Sequence, residues 1–249
     1  MDNMNKFDVP IQICQNNLFY DPDSSPLAWE HYNEVYKFGV YNEFDFNKRH
    51  VQNSKAKFLR EVISIQGSSV LSGDDKLGRK FKIGGETDFN FNSKKVQLFR
   101  KILGGESVYL SILNKCEQSH HTLKNFSLMA VTGAMNNFKG RNRFDRLDCF
   151  VSNLNDCFPL NGATGLLKAA KLNKERLSFF INQFEDIYEY CRYVYFIEDR
   201  SFVNRLIDEG KWTIVSPCCV NRYMILAQDF WELKKKSLEN MYLNMTNHE

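Results

Sequence analysis

A chain of 249 residues that is 43% hydrophobic and 14% aromatic can bury a substantial core, which excludes a disordered chain. Its net charge of +3 is too mild to demand a nucleic-acid partner and does not exclude one. No apolar run approaches the roughly 20 residues needed to span a bilayer, so no membrane association is expected.

Only 13 Gly and 5 Pro are present, which leaves little room for a long linker, and residues 1–249 read as a single globular domain. The N-terminal stretch MDNMNKFDVPIQIC has no basic region ahead of an apolar core, so no secretory signal is expected. The seven cysteines are odd in number, irregularly spaced and without a CxxC pair. Free thiols in a cytoplasmic chain are the reading, with no metal site.

In chain order, Val9 to Cys14 predicts a strand, and Pro26 opens a helix, Leu27 to Tyr36, capped by Ser24 or Ser25. Phe58 to Ile65 predicts another strand. Phe81-Lys82-Ile83 predicts a short one closed by a turn at Gly84-Gly85. Asn90 to Ser93 reads as a turn, Val96 to Leu103 as a helix or strand stopped by Gly104-Gly105, and Val108 to Leu113 as a further apolar run. Phe126 to Val131 predicts a buried strand. A helix then shows Leu147, Phe150, Val151, Leu154 and Phe158 on one face.

The second half is more helical. Leu166 to Ala170 is a short helix, and Asn173 caps a long one running through Arg192. Tyr193 to Ile197, β-branched and aromatic, predicts a strand. Ser201 to Glu209 is a helix with Gly210 as its stop, Trp212 to Val215 a short strand, and Asn221 to about Leu243 a last helix. Together these predict an α+β fold: a mixed sheet, a more helical C-terminal half and a βαβ-like C-terminal unit.

The segment Thr132-Gly133, Asn137, Lys139-Gly140 and Asp145-Arg146-Leu147-Asp148-Cys149-Phe150 resembles a family of prokaryotic proteins catalogued only as a domain of unknown function. The early Asp21-Pro22-Asp23-Ser24, Pro26-Leu27 and His31-Tyr32, and Ile83-Gly84-Gly85, are similar to the same pattern, as is the aromatic helix before Asp199. The likeness consists of short matches scattered over about two-thirds of the chain. It departs after Gly85, where Phe-Pro is expected and Glu86-Thr87 stands. The resemblance implies an ordinary prokaryotic or phage-related cytosolic protein and brings no known chemistry.

No GxxxxGK[ST], HExxH or GxSxG motif is present. His120-His121, the only histidine pair, reads as a surface-loop feature. The polar run Lys139 to Asp148 admits three readings. One is a helix cap satisfied by Asp145 and Asn142 with Arg–Asp pairs. Another is an anion site, in which Asn137, Lys139, Arg141, Arg143 and Arg146 meet a phosphate at a helix start. The last is catalysis by Asp145 or Asp148 oriented by an arginine.

Elimination of histidine, thiol and metal schemes leaves chemistry that needs Arg, Tyr and a carboxylate. NAD-dependent ADP-ribosyl transfer, by an effector or toxin-like enzyme acting on a nucleotide or nucleic acid, fits that list. It assigns the arginines to pyrophosphate, Tyr188 or Tyr195 to stacking on nicotinamide, and Glu198 or Asp199 to the ribose hydroxyl. The alternative is a non-catalytic protein-binding or regulatory module that uses its aromatic C-terminal helices. Geometry discriminates: arginines paired internally, with no pocket beside them, favour the module.

Overall fold

The computed structural model describes residues 7–8, 14–15, 18–19, 70–71, 81–105, 107–131, 138–139, 146–158 and 184–246. The expected strand Val9–Cys14 (but for Cys14), the helices at 27–36 and 166–170, the strand at 58–65 and the first part of the helix from Asn173 lie outside these residues.

The expectation of an α+β fold on a mixed sheet is overturned. The described part is mostly helical, 72%, with six helices. Strand β1 (Phe81–Thr87) precedes α1 (Ser93–Leu103) and α2 (Ser107–Ser119). Strand β2 (Phe126–Val131) follows, then α3 (Leu147–Asn155), α4 (Ile187–Tyr190), α5 (Arg200–Glu209) and α6 (Pro217–Thr246). β2 pairs antiparallel with β1 from Thr87↔Phe126 to Lys82↔Val131. Among the described residues there is no parallel pair and no βαβ unit.

Two predicted C-terminal strands fail for different reasons. Tyr193–Ile197 is buried on every side, so its apolar run carries no alternation to separate strand from helix. The chain there continues α4 as a π-helical turn, Cys191–Tyr195, and reverses at Phe196, whose φ of 59° is left-handed. That conformation costs on the order of 1–3 kcal/mol, and the buried ring of Phe196 holds it. Trp212–Val215 has three exposed residues and no pairing partner. The long helix predicted through Arg192 is also broken: Phe184–Asp186 is bent, and Asp186 caps α4 by accepting from Glu189 N–H. Gly84-Gly85 does not end β1, which runs through to Thr87.

Local chemistry explains the other elements. Asn92 Oδ1 accepts from Lys95 N–H at 3.0 Å to start α1; Arg100 and Lys101 occupy its last turn; Gly104, φ 66°, ends it. Asp199 caps α5 by accepting from Ser201 and Phe202 N–H.

The core is aromatic and centred on α6. Phe89 lies 5.4 Å from Tyr223 and 5.3 Å from Phe230, and Phe91 lies 5.3 Å from Tyr223, ring to ring. Burying each such ring is worth about 1.5–3 kcal/mol. Asn125 fixes this layer in register. Its Oδ1 accepts from Phe89 N–H at 2.8 Å and Trp231 Nε1–H at 2.7 Å, and its Nδ2 donates to Phe89 O and His120 O. One buried amide thus ties β1's exit, the α2–β2 turn and α6 together.

Candidate functional site

Arg146 sits where α3 begins, directly after the bridge that pairs it with Phe89. Only 5% of it is exposed. Nε donates to Asp148 Oδ1 at 2.9 Å, and Nη2 donates to Asp148 Oδ2 and, at 3.0 Å, to Glu209 O. Nη1 donates to Trp212 O, and the guanidinium lies over the Tyr223 ring, 5.7 Å from its centroid. Burial disfavours the charge, but Asp148 outweighs burial and holds Arg146 firmly protonated. The side chain is therefore a cap on the C-terminal end of α5, where carbonyls lack helical partners.

Gly210 makes this junction tight. A Cβ there would lie 2.2 Å from Asp148 O. Its φ is −62°, so the glycine stops α5 by close approach to α3 and not by a left-handed turn. Cys149 Sγ–H donates to Gly210 O at 3.3 Å across the same contact.

The other expected site residues fall elsewhere. Asp199 is spent as the α5 cap, and the Ser201 hydroxyl and α5 amides hold its carboxyl below the usual range. Glu198 accepts from Arg192 Nε at 3.1 Å on the surface. Tyr188 Oη–H donates to Asn204 Oδ1 at 2.6 Å, and Arg200 stacks over its ring at 4.9 Å. Tyr195 is 3% exposed, with its ring against Tyr190 at 5.5 Å and Phe230 at 6.0 Å, so neither face is open for stacking on a ligand. Lys139 is 7% exposed; its O accepts from Arg146 N–H, and its charge acts on buried Asp88. Asn137, Arg141 and Arg143, with Asn142 and Asp145, lie outside the described residues.

Tyr188 and Asp199 thus gather at the start of α5, whereas Arg146 closes its end. A helix of 10 residues separates them by about 15 Å. The cation and the carboxylates that the sequence assigned to one site occupy opposite ends of one helix.

A shallow cleft does open beside Arg146, lined by Asp148, Glu209, Trp212, Cys219, Arg222 and Tyr223 among others. The space within it for a water-sized molecule is about 10 Å³, roughly one water. Trp212, which lines it, is 62% exposed, and Val215, next in the chain after the lining residue Ile214, is 71% exposed. Arg222 stacks over Trp212 at 5.9 Å and pairs with Glu209, which raises its pKa.

Sequence reasoning missed the polar centre inside the core. Lys234 Nζ donates to Asp88 Oδ2 at 2.9 Å, Ser127 Oγ at 2.6 Å and Phe126 O, and Ser127 Oγ–H donates to Asp88 Oδ2 at 2.8 Å. The signal available was Lys234 in register with apolar positions of α6, four residues after Phe230 and four before Leu238. His120 was also misplaced: it is 8% exposed, stacked on His121 at 4.2 Å, and its Nδ1 accepts from Phe91 N–H at 3.2 Å.

Among the described residues, no three His, Cys, Asp or Glu side chains converge as a metal site, and no helix is long and apolar enough to cross a membrane. The chain matches no protein-family model, no curated protein and no solved structure.

Proposed function

We propose that this chain is a binding module that engages a protein partner through the corner where α5 meets α6. One observation carries the reading: Arg146, the described arginine assigned to pyrophosphate, has its guanidinium committed to Asp148 and to the carbonyls of Glu209 and Trp212. The cleft beside it holds about one water and offers no volume for a dinucleotide. The exposed group next to it is Trp212, Val215 and Arg222; Trp and Arg are the residue types most enriched among interface hot spots. Their cations are balanced internally, Lys211 by Asp208 and Arg222 by Glu209, so the partner surface that fits is apolar and near-neutral.

We place this module in the cytoplasm. Cys116, Cys149, Cys157, Cys191, Cys218 and Cys219 are free, and three of them are buried, as suits a reducing compartment. The family resemblance of the 132–150 segment adds no chemistry to either reading.

The test is a photo-crosslinker placed at position 212 in the producing cell and, as a control, at position 101. A discrete adduct at 212 only, abolished by Val215→Asp, supports the module. Equal adducts at both positions overturn it. So does transfer of label from NAD to protein or nucleic acid by the purified chain, which would restore the ADP-ribosyltransferase reading and direct attention to Arg141 and Arg143.

A further inference from the structure

We propose that Asp88 and Lys234 condense in the folded chain to a covalent amide between their side chains. Lys234 Nζ lies 2.9 Å from Asp88 Oδ2; the lysine side chain is 1% exposed and that of the aspartate 2%. Ser127 Oγ stands between them, accepting from Lys234 Nζ at 2.6 Å and donating to Asp88 Oδ2 at 2.8 Å. Phe126 O accepts from the same ammonium, and the Phe230 ring centroid is 5.5 Å from it. An amine, a carboxyl and a hydroxyl able to pass a proton between them are thus held together away from water.

Such placement replaces a meeting in solution by a held contact, and well-aligned groups reach effective concentrations of roughly 10⁵–10⁸ M. Burial acts in the same direction: it pushes the Asp88 carboxyl up and the Lys234 ammonium down, each toward the neutral form that reacts. It also keeps out the water that would hydrolyse the amide. Other ion pairs among the described residues lack one of these conditions. Lys124 and Lys235 with Asp8, and Lys211 with Asp208, involve a carboxylate that solvent reaches, which keeps the groups charged. Arg146 with Asp148 is buried, but a guanidinium holds its proton and is no nucleophile.

The step balances without a co-reactant. A proton crosses from Lys234 Nζ to Asp88 Oδ2, leaving an amine whose lone pair faces a carboxylic acid. Nζ attacks Cγ, the N–C bond forms, and Oδ1 takes the negative charge. The nitrogen then gives a second proton to Ser127 Oγ, which passes its own to Oδ2. The Cγ–Oδ2 bond breaks, Oδ2 leaves as water, and the Oδ1 carbonyl re-forms. The proton left on nitrogen stays with Phe126 O, so the amide keeps one hydrogen bond of the pair it replaces. The ion pair is the state of the newly folded chain and the amide its slow product.

The experiment incubates the full chain at neutral pH for increasing times, denatures it, measures its intact mass and maps its tryptic fragments. The expected result is a species lighter than the sequence by one water, growing with time. In it the fragment containing Asp88 is joined to the one containing Lys234, and cleavage after Lys234 is lost. The same chain kept in urea should not form this link, and neither should Lys234→Met. Ser127→Ala, which leaves both reacting groups in place, should form it several-fold more slowly, with circular dichroism reporting an intact fold. A mass that stays at the sequence value, or a water lost within a single fragment as a cyclic imide at one aspartate would give, overturns the proposal. So does equal accumulation in Ser127→Ala. The readout needs no partner, so it stands or falls apart from the docking role of Trp212.

Discussion

Lys234 Nζ lies 2.9 Å from Asp88 Oδ2 although 146 residues separate them, and neither side chain is more than 2% exposed. Burial pushes the Asp88 carboxyl up and the Lys234 ammonium down, and each offsets the other's loss. Ser127 and Phe126 O complete the shell. The pair fastens α6 to the start of β2 through groups that water cannot reach.

Breaking that pair from one side strands a buried charge. Lys234→Met is expected to cost about 3–5 kcal/mol, and Asp88→Asn a comparable amount. Asp88→Asn with Lys234→Met together should cost less than the sum of the two single changes. Urea unfolding of the three variants measures this, and strict additivity would contradict the coupling.

Arg146 gives opposite outcomes under its two readings. As the cap of α5 it is structural, so Arg146→Ala should lower ligand-free stability by several kcal/mol, leaving Asp148 buried without its counter-ion. Arg146→Lys should recover only part of this, because an ammonium cannot reproduce the forked contact. A thermal melt showing an unchanged midpoint for Arg146→Ala would remove the structural role.

His120 makes the fold sensitive to mild acid. Burial first, then the neighbouring His121 and Lys95, bring its pKa from 6.5 down to about 4. The unfolded chain therefore binds a proton that the folded chain refuses, so the stability from neutral His120 is full above about pH 6.5. It is lost progressively as pH falls from there towards 4, by an amount on the order of a few kcal/mol. Urea midpoints between pH 7 and pH 4.5 should fall in the wild type and fall less in His120→Gln, whose side-chain oxygen can still accept from Phe91 N–H.

Gly210→Ala separates conformational preference from packing. At φ −62° alanine would be favoured by about 0.5–1 kcal/mol on helical grounds alone. The Cβ would meet Asp148 O at 2.2 Å and Asp148 C at 2.6 Å, both backbone atoms, so α3 and α5 must move apart. Net destabilisation of about 1–3 kcal/mol is expected from calorimetry, and a gain in stability would show that the junction yields.

What the sequence determined by itself was local. The stripe Leu147, Phe150, Val151 and Leu154 placed α3, the apolar run placed β2 at Phe126–Val131, and Gly104 marked the end of α1, because each signal acts within a few residues. Only the tertiary structure decided what the polar residues do. Whether Arg146 meets a phosphate or Asp148 and two carbonyls depends on α5 ending beside it, 63 residues later in the chain. Whether Tyr193–Ile197 is strand or turn depends on having a paired neighbour, and burial on all sides erased the alternation that would have told them apart. The pairing of Lys234 with Asp88 was not legible, because a sequence shows residue types and spacing, whereas a charge survives burial only through partners that folding brings from elsewhere.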